Sequence, residues 1–347
     1  KRSMTSEQPS IFNYSVVIPA YNEQNNIKPL LERIEKVMAD VDGTYEIVII
    51  DNGSYDGTQV ILDELVGIYP SLVIVTLSRN FGYDGAITTG LEYAQGSWVI
   101  IMDGDQQDPP EVIPQLINKT KEGYDIVYGI RAKRTESWFL ALQMMIFYRL
   151  WKKIANINVP KDAGNFSIIS REVVDIIKRM PERNKFIRGL RAWTGYSSTG
   201  LIYQREERIL GETKFSFLAY LNHALNGITS FSTVPLRMFT YTGLAGLLMC
   251  STFGLFLLLT KAFELFGSRL LSWNIPTGTT TVGLLVLIAI SINLLGFGIL
   301  GEYIGSIFEE VKKRPNFLVR KIVRSNDINF FAKTKVEKES EHKNNNN

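Results

Sequence analysis

Histidine and cysteine are almost missing from this chain of 347 residues: two histidines, His223 and His342, and one cysteine, Cys250. One cysteine excludes a disulfide framework or a cysteine-built zinc site within a single chain. Two histidines argue against a histidine-based triad or zinc centre. Phosphate-binding glycine patterns are missing too. There is no G-x-G-x-x-G after the first strand-like run and no G-x-x-x-x-G-K-[ST] anywhere, which speaks against a nicotinamide-dependent dehydrogenase and a P-loop NTPase. A net charge of +3 gives no reason to expect nucleic-acid binding. The N-terminus lacks the apolar core of a signal peptide. Lys1-Arg2-Ser3 ahead of Met4 reads as an expression scar, and 1–13 as that scar plus an N-terminal arm.

What the chain has is apolar sequence, unevenly placed. Residues 1–235 read as an ordinary soluble mixture, whereas 236–302 contain two uncharged blocks, Met238–Thr260 and Thr279–Leu300. At about 1.5 Å per residue each is long enough to cross a hydrocarbon core of roughly 30 Å. Two transmembrane helices are expected, over 236–260 and 279–302. The connection 261–278 holds only Lys261 and Arg269 as basic residues, whereas the flank KKRPNFLVRK (312–321) is much more basic. The positive-inside rule then places that flank, the N-terminal region and both termini in the cytoplasm. Ser137–Asn158 and Phe215–Phe231 are aromatic and apolar with basic residues at one end, which suits amphipathic helices in the headgroup plane, the second running over about 215–235. A core helix of the soluble part is the competing reading for each. Residues 303–347 read as a basic cytoplasmic flank, disordered after about 325, where the chain is polar and ends in an asparagine run.

In the N-terminal part, strand-like runs alternate with helical patterns. Tyr14–Ile18 precedes a helix over 24–40, Tyr45–Ile50 one near 57–68, Leu72–Leu77 one over 84–95, and Trp98–Met102 one over 110–122, with Asp125–Tyr128 following. This alternation predicts a doubly wound α/β domain, Rossmann-like, with a mostly parallel sheet. Such sheets bind ligands at the carboxyl ends of their strands. Standing there are Pro19-Ala20-Tyr21-Asn22-Glu23, then Asp51–Thr58 (DNGSYDGT), Ser78–Asp84, Asp103–Asp108 (DGDQQD), and Arg131 in YGIRAKR. Asp51 is a candidate to accept hydrogen bonds from a nucleoside, with Asn52-Gly53-Ser54 read as a tight turn capped by Asp56 or Ser54. Asp103 and Asp105 flank Gly104, whose freedom lets both carboxylates turn to one point. Hard oxygen ligands of this kind suit Mg2+ or Mn2+ shared with substrate phosphates. Asp108 is expected to cap the next helix, with Pro109 and Pro110 at its start.

Taken together, VVIPAYNE, IIDNGSYDGT, RNFGYDGAI, MDGDQQDPPE, DAGNFSIISR and the REERxxGETKFS segment (205–216) resemble the family-2 glycosyltransferases of GT-A fold. More narrowly they resemble the polyisoprenyl-phosphate glycosyltransferases, such as dolichol-phosphate mannose synthases and bactoprenol glucosyltransferases. The match runs over about 14–217, and two C-terminal spans fit the bactoprenol branch. One departure is visible: Asn52 stands where the family often has aspartate, which puts a charged contact there in doubt.

The resemblance implies a membrane-bound, inverting, metal-dependent enzyme of the bacterial inner membrane. It would move a hexose, glucose from UDP-glucose before others, to a polyprenyl (undecaprenyl) phosphate, supplying lipid-linked sugar for cell-surface glycan modification. It implies a metal, Mg2+ or Mn2+, on Asp103, Asp105 and Gln107. The nucleotide sugar would lie against Pro19, Ala20, Tyr21, Glu23, Asp51, Asp103, Gly104 and Asp105. Arg131, Lys133, Arg134, Arg205, Arg208 and Lys214 become candidates for the acceptor phosphate, because arginine and lysine pair with ionised phosphate. Asp162 matches the family's candidate catalytic carboxylate, orienting the acceptor or steadying the cationic sugar centre, with general base as a second role; Asp105 shares the catalytic assignment. A homo-oligomer, plausibly a tetramer, belongs to the same expectation. Three other readings stand beside this one: the same fold using GDP-mannose or another sugar, a processive polysaccharide synthase, and a non-catalytic membrane adaptor. Against the synthase, Arg191-Ala192-Trp193 lacks the glutamine and spacing of a QxxRW motif. The intact Asp-Gly-Asp argues against the adaptor.

Overall fold

The computed structural model describes residues 11–132, 163–183, 185–206 and 279–325, together with scattered positions between 236 and 259. The described residues up to Glu206 and from Lys313 onward belong to one compact unit, and those from 236 to Lys312 to a second.

The first unit is built on an eight-stranded sheet. In chain order its elements are β1 (Phe12–Ala20), α1 (Ile27–Ala39), β2 (Tyr45–Asp51), α2 (Thr58–Leu65), β3 (Leu72–Leu77), α3 (Tyr83–Tyr93), β4 (Gly96–Ile101), a 3-10 turn (Pro110–Val112) running into α4 (Ile113–Thr120), β5 (Ile126–Arg131), β6 (Ala163–Ser170), α5 (Arg171–Arg179), α6 (Ile187–Trp193), β7 (Ser198–Tyr203) and, far along the chain, β8 (Val319–Arg324). The strand order is β7-β5-β6-β4-β1-β2-β3-β8. Strands β1 to β4 run parallel, β6 is antiparallel to both β4 and β5, and β8 lies antiparallel on β3. The five strands and four helices expected up to residue 128 are present. The mostly parallel α/β architecture follows, with two reversed strands that the sequence pattern did not disclose.

The inner strands are near-continuous β-branched runs because both faces of the sheet are covered. On one face Val16, Ile18, Ile47, Ile49, Ile74 and Ile100 pack with Ile27, Leu30, Leu31, Ile34 and Met38 of α1, Leu62 of α2 and Leu116 of α4. The α1 residues recur at helical spacing, so one stripe is apolar and the rest stays polar. On the other face α3 comes very close: a Cβ on Gly90 would lie 2.1 Å from Val17 Cγ1, so only glycine permits this approach.

Strand β8 shows that the basic flank is also part of the sheet, which its sequence did not disclose: Ile322 pairs with Val75 and Val323 with Ile74. Lys321 Nζ donates to Asp63 at 3.0 Å and Ser78 N–H to Leu318 O at 2.8 Å. A single helix, α7 (Thr279–Val311), is described at length in the second unit. Its part Ala289–Val311 is, among the described residues, the one helix long and apolar enough to cross a membrane. The expected second span falls in α7. The expected first span lies largely outside the described residues, although those that are described between 236 and 259 are helical. Both expected interfacial segments and the tail from 326 also lie outside them.

Candidate active site

The carboxyl end of β1 meets that of β4 on one side and β2 on the other. The chain leaves β1 toward β2 and later returns to place β4 on the opposite flank. This is the crevice where open α/β sheets bind ligands. Gly104 lies against it: a Cβ there would sit 3.1 Å from Pro19 O. Close approach to the first strand end, rather than unusual curvature, is therefore what glycine provides. The left-handed backbone falls two residues later, at Gln106 with φ 60°. Gln106 is buried and donates through Nε2 to Asn26 Oδ1 at 3.2 Å, while Asn26 donates to Glu23 Oε2 at 2.6 Å. Glu23 is thus tied to the acidic loop through Asn26.

The loop after β2 is a turn, as its composition predicts. Asp51 is buried and accepts Ser54 N–H at 3.0 Å. Asp56 Oδ1 accepts both the backbone N–H of Thr58, at 3.0 Å, and its hydroxyl, at 2.6 Å, which closes the turn leading into α2, whose N-cap is Gly57. Asn22, at φ 54°, receives Tyr55 N–H at 3.0 Å and donates its own N–H to Ser54 Oγ at 3.0 Å. Tyr21 meets the exposed Tyr55 edge to face, with ring centroids 5.9 Å apart. Asn52 has a role that the sequence did not reveal. Its Nδ2 donates to Asn80 Oδ1 (3.2 Å) and Gly82 O (3.0 Å), and its Oδ1 accepts Phe81 N–H (2.9 Å). Where the family often has a carboxylate, this chain uses an amide to hold the loop after β3.

That loop delivers Tyr83 to the acidic centre, where its hydroxyl donates to Asp103 Oδ1. Burial, followed by the Asp103 charge, pushes the Tyr83 hydroxyl well above its ordinary range, so it stays a donor. Around Asp103 the structure assembles more than the Asp-Gly-Asp pattern suggested. Arg205 Nη2 lies 3.7 Å from Asp103 Oδ2 and 4.0 Å from Asp105 Oδ2, and its Nε lies 3.5 Å from Asp108 Oδ1. Asp108 is 1% exposed and accepts the Tyr203 hydroxyl at 2.5 Å. The expected capping role of Asp108 is not what is found. Pro109 precedes the 3-10 turn, no side chain caps it, and Pro110 sits at its start. The carboxylate turns into the site instead, because Tyr203 and Arg205 offer stronger partners than a neutral backbone N–H.

The neighbouring carboxylates act on Asp103. Asp103 is pushed up to about 6, by burial first and then by Asp108 and Asp105, against the opposing effects of the Tyr83 hydrogen bond and Arg205. Arg131, the last residue of β5, pairs in register with Tyr203. Burial disfavours its charge, but Tyr203, Asp108 and Asp103 outweigh that and raise its pKa. Gln107 is fixed by its backbone: its N–H donates to Asp105 Oδ1 at 3.1 Å and its carbonyl accepts Glu206 N–H at 2.9 Å.

The structure therefore gathers Pro19, Ala20, Glu23, Asp51, Asp103, Gly104, Asp105, Gln107, Arg131 and Arg205 at one edge of the sheet. Lys133, Arg134, Asp162, Arg208 and Lys214 lie outside the described residues. Tyr83, Asp108 and Tyr203 were missed. Tyr83 stands within RNFGYDGAI and Asp108 within the acidic stretch itself, but only the fold shows where their polar atoms point. Arg191 was missed as well. Its Nη2 donates to Gly164 O at 2.8 Å, and burial lowers it to about 9. It anchors the strand that begins directly after Asp162.

Two carboxylates converging on one cation, with no third His, Cys, Asp or Glu completing a metal cage among the described residues, fit a divalent ion that completes its shell with substrate phosphates. Both Oδ2 atoms already face a positive group, and their donor chemistry is hard oxygen.

Comparison with known proteins agrees. The family model for glycosyl transferase family 2 matches residues 15–177. The YkcC glycosyltransferase of Bacillus subtilis, itself uncharacterized, is 40% identical over 309 residues, covering 89% of this chain and 93% of the relative. A prophage bactoprenol glucosyl transferase homolog of Escherichia coli K12 is 38% identical over 309 residues, covering 89% and 98%. A bactoprenol glucosyl transferase of Shigella phage SfII is 37% identical over 313 residues, covering 90% and 99%. With relatives so similar along nearly their whole length, and an acidic strand-end crevice in place, the chain is a glycosyltransferase and belongs to glycosyl transferase family 2.

Proposed function

We propose that this glycosyltransferase moves a hexose, glucose before others, from a nucleotide sugar to the phosphate of a polyprenyl phosphate at the membrane, with inversion at the anomeric carbon. One observation carries the reading: the carboxylates of Asp103 and Asp105 and the guanidinium of Arg205 meet at the β1/β4 crevice, with Arg131 alongside. A site needing only a nucleotide would not require two arginines against three carboxylates. A site handling two phosphate-bearing substrates would. Relatives named for bactoprenol glucosyl transfer support the lipid acceptor and the glucose, and α7 supports membrane attachment.

In this reading Asp103 and Asp105, with Gln107 beside them, would hold a Mg2+ or Mn2+ ion, which supplies positive charge against the departing nucleoside diphosphate. Tyr83 keeps Asp103 oriented for that contact. The loops at Pro19–Glu23 and Asp51 receive the nucleoside. The acceptor phosphate is ionised near neutral pH, so the protein needs to place it rather than deprotonate it. Arg205 and Arg131 are the described groups able to do so, through planar forks matched to phosphate oxygens. Asp162 would orient the acceptor or steady the cationic sugar centre, with Arg191 holding the strand behind it. A UDP-linked donor, the bacterial inner membrane and a homo-oligomer complete the proposal.

The test is transfer of label from a panel of radiolabelled nucleotide sugars, UDP-glucose first, to undecaprenyl phosphate with Mg2+ or Mn2+. Labelled lipid is expected, and Asp105→Ala should reduce its formation by at least about a hundredfold, the scale set by removing one transition-state charge contact. If no nucleotide sugar yields labelled lipid, the proposal fails.

A further inference from the structure

Asp108 has no place in the chemistry proposed above, yet it is the most deeply buried acid of the cluster. It is 1% exposed, whereas Asp103 and Asp105 are partly open to the crevice. Its Oδ1 accepts the Tyr203 hydroxyl and faces Arg205 Nε at 3.5 Å, while its Oδ2 is buried with no hydrogen-bond partner among the described residues. Arg205 Nε is likewise buried without one. A carboxylate in such surroundings is costly unless an opposite charge stays beside it. The surrounding chain keeps that charge there. Glu206 N–H is bonded to Gln107 O, and the Glu206 carboxylate is clamped by Arg33 Nη2 at 3.0 Å, which also holds Glu111 at 2.7 Å. The segment bearing Arg205 is therefore stitched to the acidic loop on both sides of Asp108.

The two ends of the Arg205 guanidinium meet different partners. Nε faces buried Asp108, and Nη2 faces the two open carboxylates at distances too long for hydrogen bonds. We propose that Asp108 is a positioning residue, a buried pivot that keeps Arg205 by its Nε while the Nη edge is handed over from Asp103 and Asp105 to the acceptor phosphate. The handover is electrostatic. A cation held by Asp103 and Asp105 would weaken their pull on Nη2. Asp108, sealed beneath, does not exchange partners, so Arg205 presents its Nη1/Nη2 fork without leaving the site. Tyr203 fixes the carboxylate from the other side. The inference rests on the reading of Arg205 as an acceptor-phosphate ligand.

The experiment measures equilibrium binding of undecaprenyl phosphate to the full chain in detergent, with Mn2+ and UDP present, so no assumption about the sugar enters. Arg205→Gln should weaken this binding about tenfold or more, the loss expected for a charged phosphate contact. Asp108→Asn keeps an acceptor for Tyr203 but removes the charge, and should weaken it about fivefold. It should leave UDP binding within about threefold, and add less than about twofold in the Arg205→Gln background, because coupled residues are not additive. If Arg205→Gln binds lipid normally, or the unaltered protein binds none, the acceptor reading fails and the pivot with it. Where Arg205→Gln weakens binding but Asp108→Asn does not, or does so additively, the pivot is overturned and the acceptor reading stands. A loss of UDP affinity as large as that of the lipid also overturns it. Should Asp108→Asn not yield folded protein, Tyr203→Phe decides: acceptor binding weakened severalfold only when Arg205 is present supports the pivot, and unchanged binding refutes it.

Discussion

Replacing Asn52 by aspartate restores the residue that related sequences often carry, and the structure says that this chain should not tolerate it. Asn52 is 4% exposed. Its amide donates to Asn80 Oδ1 and to Gly82 O, and its carbonyl accepts Phe81 N–H. Aspartate keeps only the last of these and turns a negative oxygen toward two acceptors. Asn80 cannot repair this by rotating its amide, because its Oδ1 also receives Gly82 N–H at 2.8 Å. Two lost bonds at about 1 kcal/mol each, and a buried carbonyl left facing an anion at about 1 more, give roughly 3 kcal/mol. For a domain of this size that is a fall of roughly 6–12 °C in melting temperature. The loop leads directly to Tyr83 and its bond to Asp103, so metal and donor binding should weaken as well. Scanning calorimetry or dye-based melting of Asn52→Asp beside Asn52→Ala checks the reasoning. The introduced carboxyl would be held above its ordinary pKa, so its penalty is full at neutral pH and shrinks as the pH falls and it regains a donor. An unchanged melting temperature for Asn52→Asp, with Asn52→Ala destabilised, would show that the amide donors are not what matters.

Other predictions follow from the same geometry. Asp103 titrates near 6 in the metal-free protein, above the ordinary carboxylate value. Its contribution to stability is therefore fully present only below its unfolded value of 3.8 and is lost as the pH rises through about 6, and Asp103→Asn should remove this difference in melting curves. Mn2+ affinity should in turn fall by about tenfold per pH unit below 6, because the proton competes for the ligand; a Mn2+ titration followed by electron paramagnetic resonance reads this directly. Gly53→Ala should cost about 3 kcal/mol or more in denaturant unfolding, since φ is +70° and the new Cβ would lie 2.5 Å from the Arg79 carbonyl carbon. Gly129→Ala places a Cβ 2.5 Å from Tyr203 Cε1. Displacing that ring breaks the bond to Asp108, so undecaprenyl phosphate binding should weaken by about fivefold, on the scale of one lost buried hydrogen bond.

Much of the fold was legible because local rules governed it. Apolar runs of β-branched residues ending in PAYNE, DNGSYDGT and MDGDQQD announced the strands and the edge where chemistry would sit, since a sheet covered on both faces writes its burial into a continuous pattern. The apolar block over 279–302 announced helix α7 in the same way. Strand β8 was illegible for the opposite reason: only Val319, Ile322 and Val323 of VRKIVR are apolar, with neither an alternating nor a continuous pattern, and an edge strand beside β3 can keep its lysine and arginine in solvent. Strand β6 was hidden because its antiparallel place between β4 and β5 depends on partners distant in the chain.

For the site, the sequence by itself determined which carboxylates stand at which strand ends, because a short loop after a strand cannot carry its residues elsewhere. It also offered Arg131 and Arg205 as candidates for a phosphate contact. Only the tertiary structure decided that Asp108 belongs with Asp103 and Asp105 rather than with the following helix, and that Asn52 is a donor holding a loop. Each depends on a partner far along the chain, Tyr203 and Arg205 for Asp108 and Asn80 to Gly82 for Asn52. A carboxylate or an amide takes its role from whichever charge or hydrogen-bond partner the fold brings within reach.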